Sequence, residues 1–152
     1  MFSLAGKTTR LIGATAGLGL RVARAYVEAG AKVIIGGRRD EGGTVAADIG
    51  AHFVQVDVAS EPSMSAAMDQ VRAEHGAIDV LVNNAGVWPF ARLEDIEPDT
   101  AQQILDVNLL GVVWGIKHGS RIMNDGGSII NTTALVTYRP HSRLGVYAAS
   151  KA

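Results

Sequence analysis

Short apolar segments alternate along the chain with longer segments in which apolar residues recur every third or fourth position. The short segments predict strands buried on both faces, and the longer ones predict helices with one apolar side. The predicted strands are Thr8 to Gly13, Lys32 to Ile35, His52 to Val56, Ile78 to Val82 and Ser128 to Thr133. The predicted helices are Leu18 to Ala29, Asp40 to Ile49, Ser60 to His75, Thr100 to Met123, and a last one from about Arg143.

This alternation predicts the α/β fold class, with right-handed crossovers that build a parallel sheet. Turn residues agree with the assignment: Ser60 is a favourable helix N-cap, Gly30 and Gly50 follow helix ends, and Asn124 to Gly127 is predicted as a turn. No linker, repeat or low-complexity segment interrupts the pattern. Residues 1–152 are therefore expected to form a single domain.

The composition argues against several classes of function. Of the 152 residues 47% are hydrophobic, 19% are charged and 18 are Gly, which is typical of a compact α/β domain. The net charge of −1 gives no indication of a nucleic-acid or anionic-membrane surface. The absence of Cys excludes disulfides and thiolate metal sites, and the four His lack ligand spacing, so no metal is expected.

No targeting or membrane segment is recognised. Residues near the N-terminus lack the long apolar run of a signal peptide, and the longest apolar stretch, Ile104 to Ile116, is interrupted by polar residues and too short to span a bilayer. A cytoplasmic protein is expected.

A glycine-rich turn joins the first strand to the first helix. Gly13 permits a tight turn, Gly17 permits approach of backbone N–H groups to a pyrophosphate, and Gly19 permits close packing of helix on sheet. The helix N-terminus would face the phosphates with its positive end. By itself, such a turn is as compatible with a purely structural role as with a phosphate-binding role. The whole turn reads Gly13, Ala14, Thr15, Ala16, Gly17, Leu18, Gly19.

The residues after the second strand bear on the choice of dinucleotide. Gly36 to Arg39 contains no acidic residue to accept a ribose hydroxyl, and Arg38 offers a guanidinium to a 2′-phosphate. NADP is therefore predicted in preference to NAD, the alternative being that Arg38 is only a solvated charge. Asp57, at the end of the third strand, could accept a hydrogen bond from an adenine amino group, and Asn83 to Gly86 could join strand ends or form only a turn.

Tyr147 and Lys151 stand four residues apart in the last predicted helix, and therefore on one face. A nearby ammonium favours the phenolate, so the pair is a candidate acid/base device. By itself the pair is better explained as two exposed side chains on a helix surface.

Taken together, these motifs resemble the short-chain dehydrogenase/reductase family. They occur in the family's order and extend over the whole chain: Gly13-x-x-x-Gly17-x-Gly19, Asp57-Val58, Asn83-Asn84-Ala85-Gly86, Asn108, and Tyr147-x-x-x-Lys151. The resemblance implies a Rossmann-type doubly wound sheet, a nicotinamide cofactor, and interconversion of a small-molecule alcohol and a carbonyl compound.

The resemblance also implies residue roles. Tyr147 corresponds to the proton donor, and Lys151 to its partner, which also binds the nicotinamide ribose. Asn108 corresponds to a residue that holds a proton-relaying water. The cofactor positions implied are Gly13, Thr15, Gly17, Leu18, Gly19, Arg38, Asp57, Val58, Asn84, Ala85, Gly86, Tyr147 and Lys151.

One departure concerns the family's catalytic Ser, whose position is held by Ala134. Thr133 is adjacent, but side chains alternate along a strand, so it is expected to point away unless a bulge re-aims it. Ser142 is a more remote substitute. Three explanations stay open: a weakened site, rescue by Thr133, or a deliberate Ser-to-Ala change.

A second departure is that the family's chains continue well beyond the Lys. The expectation is a sheet that is incomplete at its C-terminal side, with the fifth strand as an open edge and bare apolar helix faces. The chain would then be a fragment or be completed by another chain, and the resemblance implies a homo-oligomer (dimer or tetramer). The alternative function is a catalytically silent dinucleotide-binding module. Trp88, Phe90, Tyr138 and Arg139 are candidate substrate contacts or plain packing residues.

Overall fold

A computed structural model describes residues 3–139 and 141–152 and confirms the predicted α/β fold class. In that part of the chain, parallel strands form one sheet in the order β3-β2-β1-β4-β5. The strands are β1 (Thr8–Ile12), β2 (Lys32–Gly36), β3 (His52–Phe53), β4 (Ile78–Asn83) and β5 (Met123–Asn131). The helices are α1 (Gly17–Glu28), α2 (Gly42–Ile49), α3 (Glu61–His75), α4 (Pro98–Leu105), α5 (Gly111–Gly119) and α6 (Gly145–Lys151).

Two apolar clusters cover the two faces of the sheet, as a doubly wound arrangement requires. Alternate residues of each strand point to opposite faces, so Leu11 and Ile12 of β1 belong to different clusters. The first cluster joins the sheet to α3 through Met64 and Met68, and the second joins it to α1 and α2 through residues such as Ala23.

The sheet grows in opposite directions from β1. The chain proceeds from β1 to β2 on one side and later returns to place β4 on the other side. The connections that leave the carboxyl ends of β1 and β4 therefore run in opposite directions. Open α/β sheets form their binding crevice at such a point.

Three predicted segments differ from the structure. The third strand ends at Phe53, although Val56 N–H still bonds the Gly37 carbonyl at 3.0 Å. The predicted turn at 124–127 lies inside β5, as a bulge with Gly126 at φ +76°, because the register moves from Met123–Ile78 to Ser128–Val80. Strand β5 ends at Asn131, two residues before the predicted end.

The long predicted helix is instead a series of segments. A π-helical turn over Asp106–Leu110 separates α4 from α5, and a 3-10 turn over Ser120–Ile122 ends the series. Apolar periodicity continues through the π turn, so the sequence pattern does not reveal the extra residue in its hydrogen-bonded loop.

The predicted open edge is confirmed. Strand β5 pairs with β4, and no other strand of the described residues pairs with it; residues 124–131 are exposed. The apolar side chains of Leu109, Val113 and Ile116 are also exposed on the outer side of the π turn and α5. Within residues 3–139 and 141–152, no helix is both long enough and apolar enough to cross a bilayer.

Two adjacent glycines of α2 give a test of this packing. A methyl group on Gly42 would overlap the Phe53 ring, whereas one on Gly43 would meet nothing within 4 Å. We expect Gly42→Ala to lower the free energy of unfolding by about 1–3 kcal/mol through overpacking. Gly43→Ala should raise it by up to about 1 kcal/mol through the reduced entropy of the unfolded chain. Equal effects of the two substitutions in chemical denaturation would contradict the packing described.

Candidate functional site

A cleft of about 560 Å³ lies at the carboxyl ends of β1, β2 and β4. Its volume is in the range of cofactor and small-molecule sites. The turns after three strands, the loop that follows β5 and helix α6 all contribute to its walls. Of the predicted site residues, those lining it are Gly13, Thr15, Gly17, Leu18, Arg38, Val58, Asn84, Ala85, Gly86, Thr133, Tyr147 and Lys151.

The glycine turn between β1 and α1 is so tightly packed that side chains are excluded at two positions. Gly13 has φ +79°, and a Cβ there would lie 2.5 Å from Ala85 Cα. A Cβ on Gly19 would overlap the Gly13 carbonyl and lie 2.6 Å from Asn84 Nδ2. Gly19 does not line the cleft, and its role is the predicted close packing of α1 on the sheet.

Helix α1 begins at this cleft without a capping side chain. Its N-cap residue is Ala16, no acidic residue lies in the first turn, and Gly17 and Leu18 face the cleft. By contrast, the Oγ of Ser60 caps α3 by accepting from Ser63 N–H at 3.3 Å, as predicted. The first N–H groups of a helix have no intrahelical acceptor, so those of α1 are free to bind an anion in the cleft.

A series of hydrogen bonds links the glycine turn to Lys151. Asn84 Nδ2 donates to the Gly13 carbonyl at 2.8 Å, and Thr132 Oγ1 donates to Asn84 Oδ1 at 3.2 Å. Lys151 Nζ then donates to the Thr132 carbonyl at 3.1 Å. The prediction that the Asn83–Asn84 amides hold strand ends together is confirmed, because Asn83 Nδ2 also donates to Asn131 Oδ1 at 2.8 Å.

Asn108 is buried in the π turn and makes three hydrogen bonds. Its Oδ1 accepts from Val87 N–H at 2.8 Å, and its Nδ2 donates to the Val87 carbonyl at 2.8 Å and to Ser150 Oγ at 3.0 Å. The amide therefore fixes the loop after β4 and helix α6 relative to each other. The π turn is what brings it there, since local π geometry re-aims a side chain within a helix.

Lys151 lies beside Asn108 at the floor of the cleft. A Cβ on Gly86 would lie 3.3 Å from Asn108 Oδ1 and 3.5 Å from Lys151 Nζ, so both polar groups meet at this glycine. Burial lowers the pKa of Lys151 from its ordinary value of 10.5. Tyr147, one helical turn earlier, is half-buried and lines the same cleft.

Arginines occupy the far end of the cleft. Arg38 and Arg39 are exposed and line it, next to Gly37. Gln55 Nε2 donates to the Arg38 carbonyl at 2.7 Å and thereby fixes the loop after β2.

Asp57 is a predicted site residue that does not line the cleft, although its neighbour Val58 does. Strand β3 has already ended at Phe53, and the Asp57 carboxylate accepts from Ala59 N–H at 3.1 Å. The carboxylate thus stabilises the turn that leads into α3.

Thr133 lines the cleft and Ala134 does not. The expectation that Thr133 points away rests on strand alternation, and β5 already ends at Asn131, two residues earlier. Thr133 is a cleft-lining residue with a hydroxyl group, directly before the Ala134 position.

Other residues of the site gave no clear signal in the sequence. Thr132 belongs to the series of hydrogen bonds that ends at Lys151, and Ser150 accepts a hydrogen bond from Asn108. Neither residue was singled out in the sequence analysis. Among the candidate substrate contacts, Trp88 lines the cleft, while Phe90 and Tyr138 are exposed outside it. In the part of the chain described here, no three His, Asp or Glu residues are grouped so as to hold a metal ion.

The Asn108 network makes a testable contribution to stability. Asn108→Ala leaves the Val87 N–H and carbonyl groups without partners, and we expect a loss of about 1–3 kcal/mol in the free energy of unfolding. Gln103→Ala is the control, because Gln103 is an exposed residue of α4, and its effect should stay within about 0.5 kcal/mol. Similar melting temperatures for both variants would argue against the structural role of Asn108.

Comparison with known proteins agrees with the geometry. The chain is 36% identical over 156 residues to an NADP-dependent (R)-specific alcohol dehydrogenase of Lentilactobacillus kefiri, with 97% of this chain and 62% of the relative covered. It is 39% identical over 137 residues to a 3-alpha-(or 20-beta)-hydroxysteroid dehydrogenase of Mycobacterium tuberculosis, with 87% and 53% covered. It is 35% identical over 139 residues to a mitochondrial borneol dehydrogenase of Lavandula x intermedia, with 88% and 54% covered.

The chain thus spans between 53% and 62% of the length of these three relatives. A crystal structure of a short-chain dehydrogenase/reductase (glucose/ribitol dehydrogenase) from Brucella melitensis has the same fold, with a TM-score of 0.94, 24% identity, and 99% of this chain and 65% of that chain covered. The sequence model of the short chain dehydrogenase family matches residues 7–152. The chain belongs to the short-chain dehydrogenase/reductase family.

Proposed function

We propose that this chain carries the cofactor site and the proton-transfer residues of an oxidoreductase that interconverts an alcohol and a carbonyl compound, with NADP preferred over NAD. The single observation that supports this most is that Tyr147 and Lys151 line the same cleft as the glycine turn. A cofactor site and an acid/base pair would then lie side by side.

The cleft fits a dinucleotide. Gly13 and Gly17 leave the turn without side chains, and the uncapped start of α1 presents N–H groups and the positive end of the helix dipole to a pyrophosphate. Thr15, Asn84, Ala85 and Val58 line the remaining walls. When bound, the nicotinamide supplies the hydride chemistry that no amino-acid side chain can perform.

The residues of the chain would handle the proton. Tyr147 would give a proton to the substrate oxygen during reduction and take one during oxidation. Lys151 would lie beside the path of this proton, because it lines the same cleft and its ammonium is held by the Thr132 carbonyl. Asn108 would hold the loop after β4 and helix α6 in fixed relative positions, so that Tyr147 stays aligned with the substrate.

The NADP preference is supported by Arg38 and by the lack of an acidic residue between Gly36 and Arg39. A guanidinium pairs well with a phosphate, and without a carboxylate nothing in this turn repels one. One relative is by its name NADP-dependent. Asp57 would contribute by shaping the turn next to Val58 rather than by touching the adenine directly.

A secondary alcohol or ketone is the proposed substrate class, since three relatives are named for alcohol, hydroxysteroid and borneol oxidation. The silent-module alternative is less well supported, because Tyr147, Lys151 and Asn108 are intact and Thr133 lines the cleft. We further propose a cytoplasmic homo-oligomer, in which the exposed apolar residues Leu109 and Val113 would be covered by a second subunit.

Replacement of Tyr147 tests the function. NADPH binding is followed by its fluorescence, and turnover by ketone-dependent loss of that fluorescence. Tyr147→Phe should lower turnover by about 10²-fold or more while NADPH still binds, because only the transferable proton is removed. Tyr26→Phe is the control, since Tyr26 packs in α1 away from the cleft. Turnover that survives in Tyr147→Phe would exclude the proposed proton path.

Thr133 and Ala134 can be tested as a pair. If the Thr133 hydroxyl stabilises charge on the substrate oxygen, Thr133→Ala should lower kcat by about 10²–10³-fold. Adding Ala134→Ser to that variant should restore part of the rate, because it returns a hydroxyl to the position where the family has one. An unchanged kcat in Thr133→Ala would show that neither position supplies a donor.

A further inference from the structure

Arg10 is a fully buried arginine in the middle of β1, at a position with no role in the proposed chemistry. It lies in the part of the sheet formed by β1, β2 and β3, away from the exposed edge at β5. Side chains alternate along a strand, so Arg10 points to the same face as Ile12, which lines the cleft.

The guanidinium of Arg10 is only partly satisfied. Nη1 donates to the Ile35 carbonyl at 2.8 Å and Nη2 to the Val54 carbonyl at 3.1 Å, while Nε has no partner among the described residues. No carboxylate in residues 3–139 or 141–152 forms an ion pair with it. Burial lowers the pKa of Arg10 to about 9, and an arginine side chain stays protonated in proteins. The fold therefore holds a buried positive charge without a counter-ion, which is costly.

This charge lies directly beneath the arginine end of the cleft. A Cβ on Gly36 would lie 2.7 Å from Arg10 Nη2 and 3.0 Å from Val56 Cγ1. Val56 lines the cleft, as do Gly37 and Arg38, which follow Gly36. The guanidinium is thus separated from the cleft by about one layer of residues, and the glycine at position 36 is what leaves room for it.

We propose that Arg10 is a specificity-determining residue, whose buried charge beneath the Gly36–Arg38 turn favours a dinucleotide that carries an additional phosphate at that end. The inference rests on the proposed function, because it presupposes that the cleft binds a nicotinamide dinucleotide. It adds to the proposed role of Arg38 a second cation, which lies inside the protein rather than at its surface.

Burial makes this charge more effective than an exposed one. Solvent and salt screen the interaction of Arg38 with a phosphate, whereas the field of a buried cation passes through a medium of lower dielectric constant. A bound anion would in turn compensate the charge of Arg10, so the cost of burying the guanidinium would be partly recovered in the complex.

The competing interpretation is that Arg10 only holds β2 and β3 together through its bonds to Ile35 and Val54. That role would affect the affinity for NADH and NADPH alike, because both share the adenosine half. A charge effect acts mainly on NADPH. The ratio of the two affinities therefore separates the interpretations, and it is insensitive to a general loss of stability.

The experiment measures dissociation constants of NADPH and NADH for the whole chain by fluorescence titration at 25 °C. Arg10→Met keeps the length of the side chain and removes its charge, and Arg10→Gln keeps one amide donor. Arg72→Met is the matched control, because it removes one positive charge from an exposed position on α3. Thermal melting identifies which variants fold cooperatively.

We expect Arg10→Met and Arg10→Gln to reduce the NADPH preference on the order of tenfold, the effect of a unit charge over roughly 10 Å at an effective dielectric constant near 20. Arg72→Met should leave it unchanged. A ratio that is the same in wild type and in the Arg10 variants, or equal losses for both dinucleotides, would overturn the inference. Failure of wild type to bind either dinucleotide would instead overturn the proposed function.

A second measurement does not depend on the folding of the Arg10 variants. In the double variant Arg38→Met, Arg39→Met, the exposed cations at this end of the cleft are removed and Arg10 stays. We expect a residual preference for NADPH that persists when NaCl is raised from about 0.05 M to about 0.5 M, since exposed charges are screened over a few ångströms at high salt. Loss of all preference at both salt concentrations would overturn the inference.

Discussion

The contact between Asn84 and the Gly13 carbonyl is the constraint on which the site depends. The carboxyl ends of β1 and β4 must come close enough for this 2.8 Å hydrogen bond, and Gly19 must lie against both. A side chain at Gly19 would push α1 off the sheet, and one at Gly13 would collide with Ala85 in the loop after β4. Helix α1 starts next to this contact, so the contact also fixes the position of the uncapped helix N-terminus at the cleft. Asn84 in turn accepts a hydrogen bond from Thr132, whose carbonyl accepts one from Lys151.

The buried polar side chains of this fold differ in how completely they are hydrogen-bonded. Asn108 and Ser150 are satisfied within the protein, and such groups rigidify the structure around them. Arg10 is left with an unpartnered Nε and without a carboxylate, and a fold selected only for stability would place an apolar residue there. Groups that violate local rules in this way are found preferentially at functional sites, where a bound ligand changes the balance.

The sequence predicted those features that depend on local backbone requirements. Glycines at positions 13, 17 and 19 and the Tyr147–Lys151 spacing have physical meaning before any fold is known, and the alternation of strands and helices predicts the parallel sheet. At the β5 bulge the sequence predicted a turn that ends the segment, whereas the strand continues through it. The π turn around Asn108 was missed, because it adds a residue without disturbing the apolar pattern. The setting of Arg10 depends on contacts with β2 and the segment after β3, which the sequence of a single strand does not reveal.

The two ends of the cleft differ in how completely this chain encloses them. The end with Arg38 rests on β1 and β2, interior strands with neighbours on both sides and helices over both faces. The end with Tyr147 and Lys151 is bounded by α6 and the loop after β5, beside an exposed strand. Charge interactions weaken where water enters, so under the proposed function cofactor affinity would depend chiefly on the enclosed end, whereas proton transfer would gain most from a surface that covers β5. Binding and turnover would then be separable properties, and binding would need fewer of the contacts of this fold than turnover.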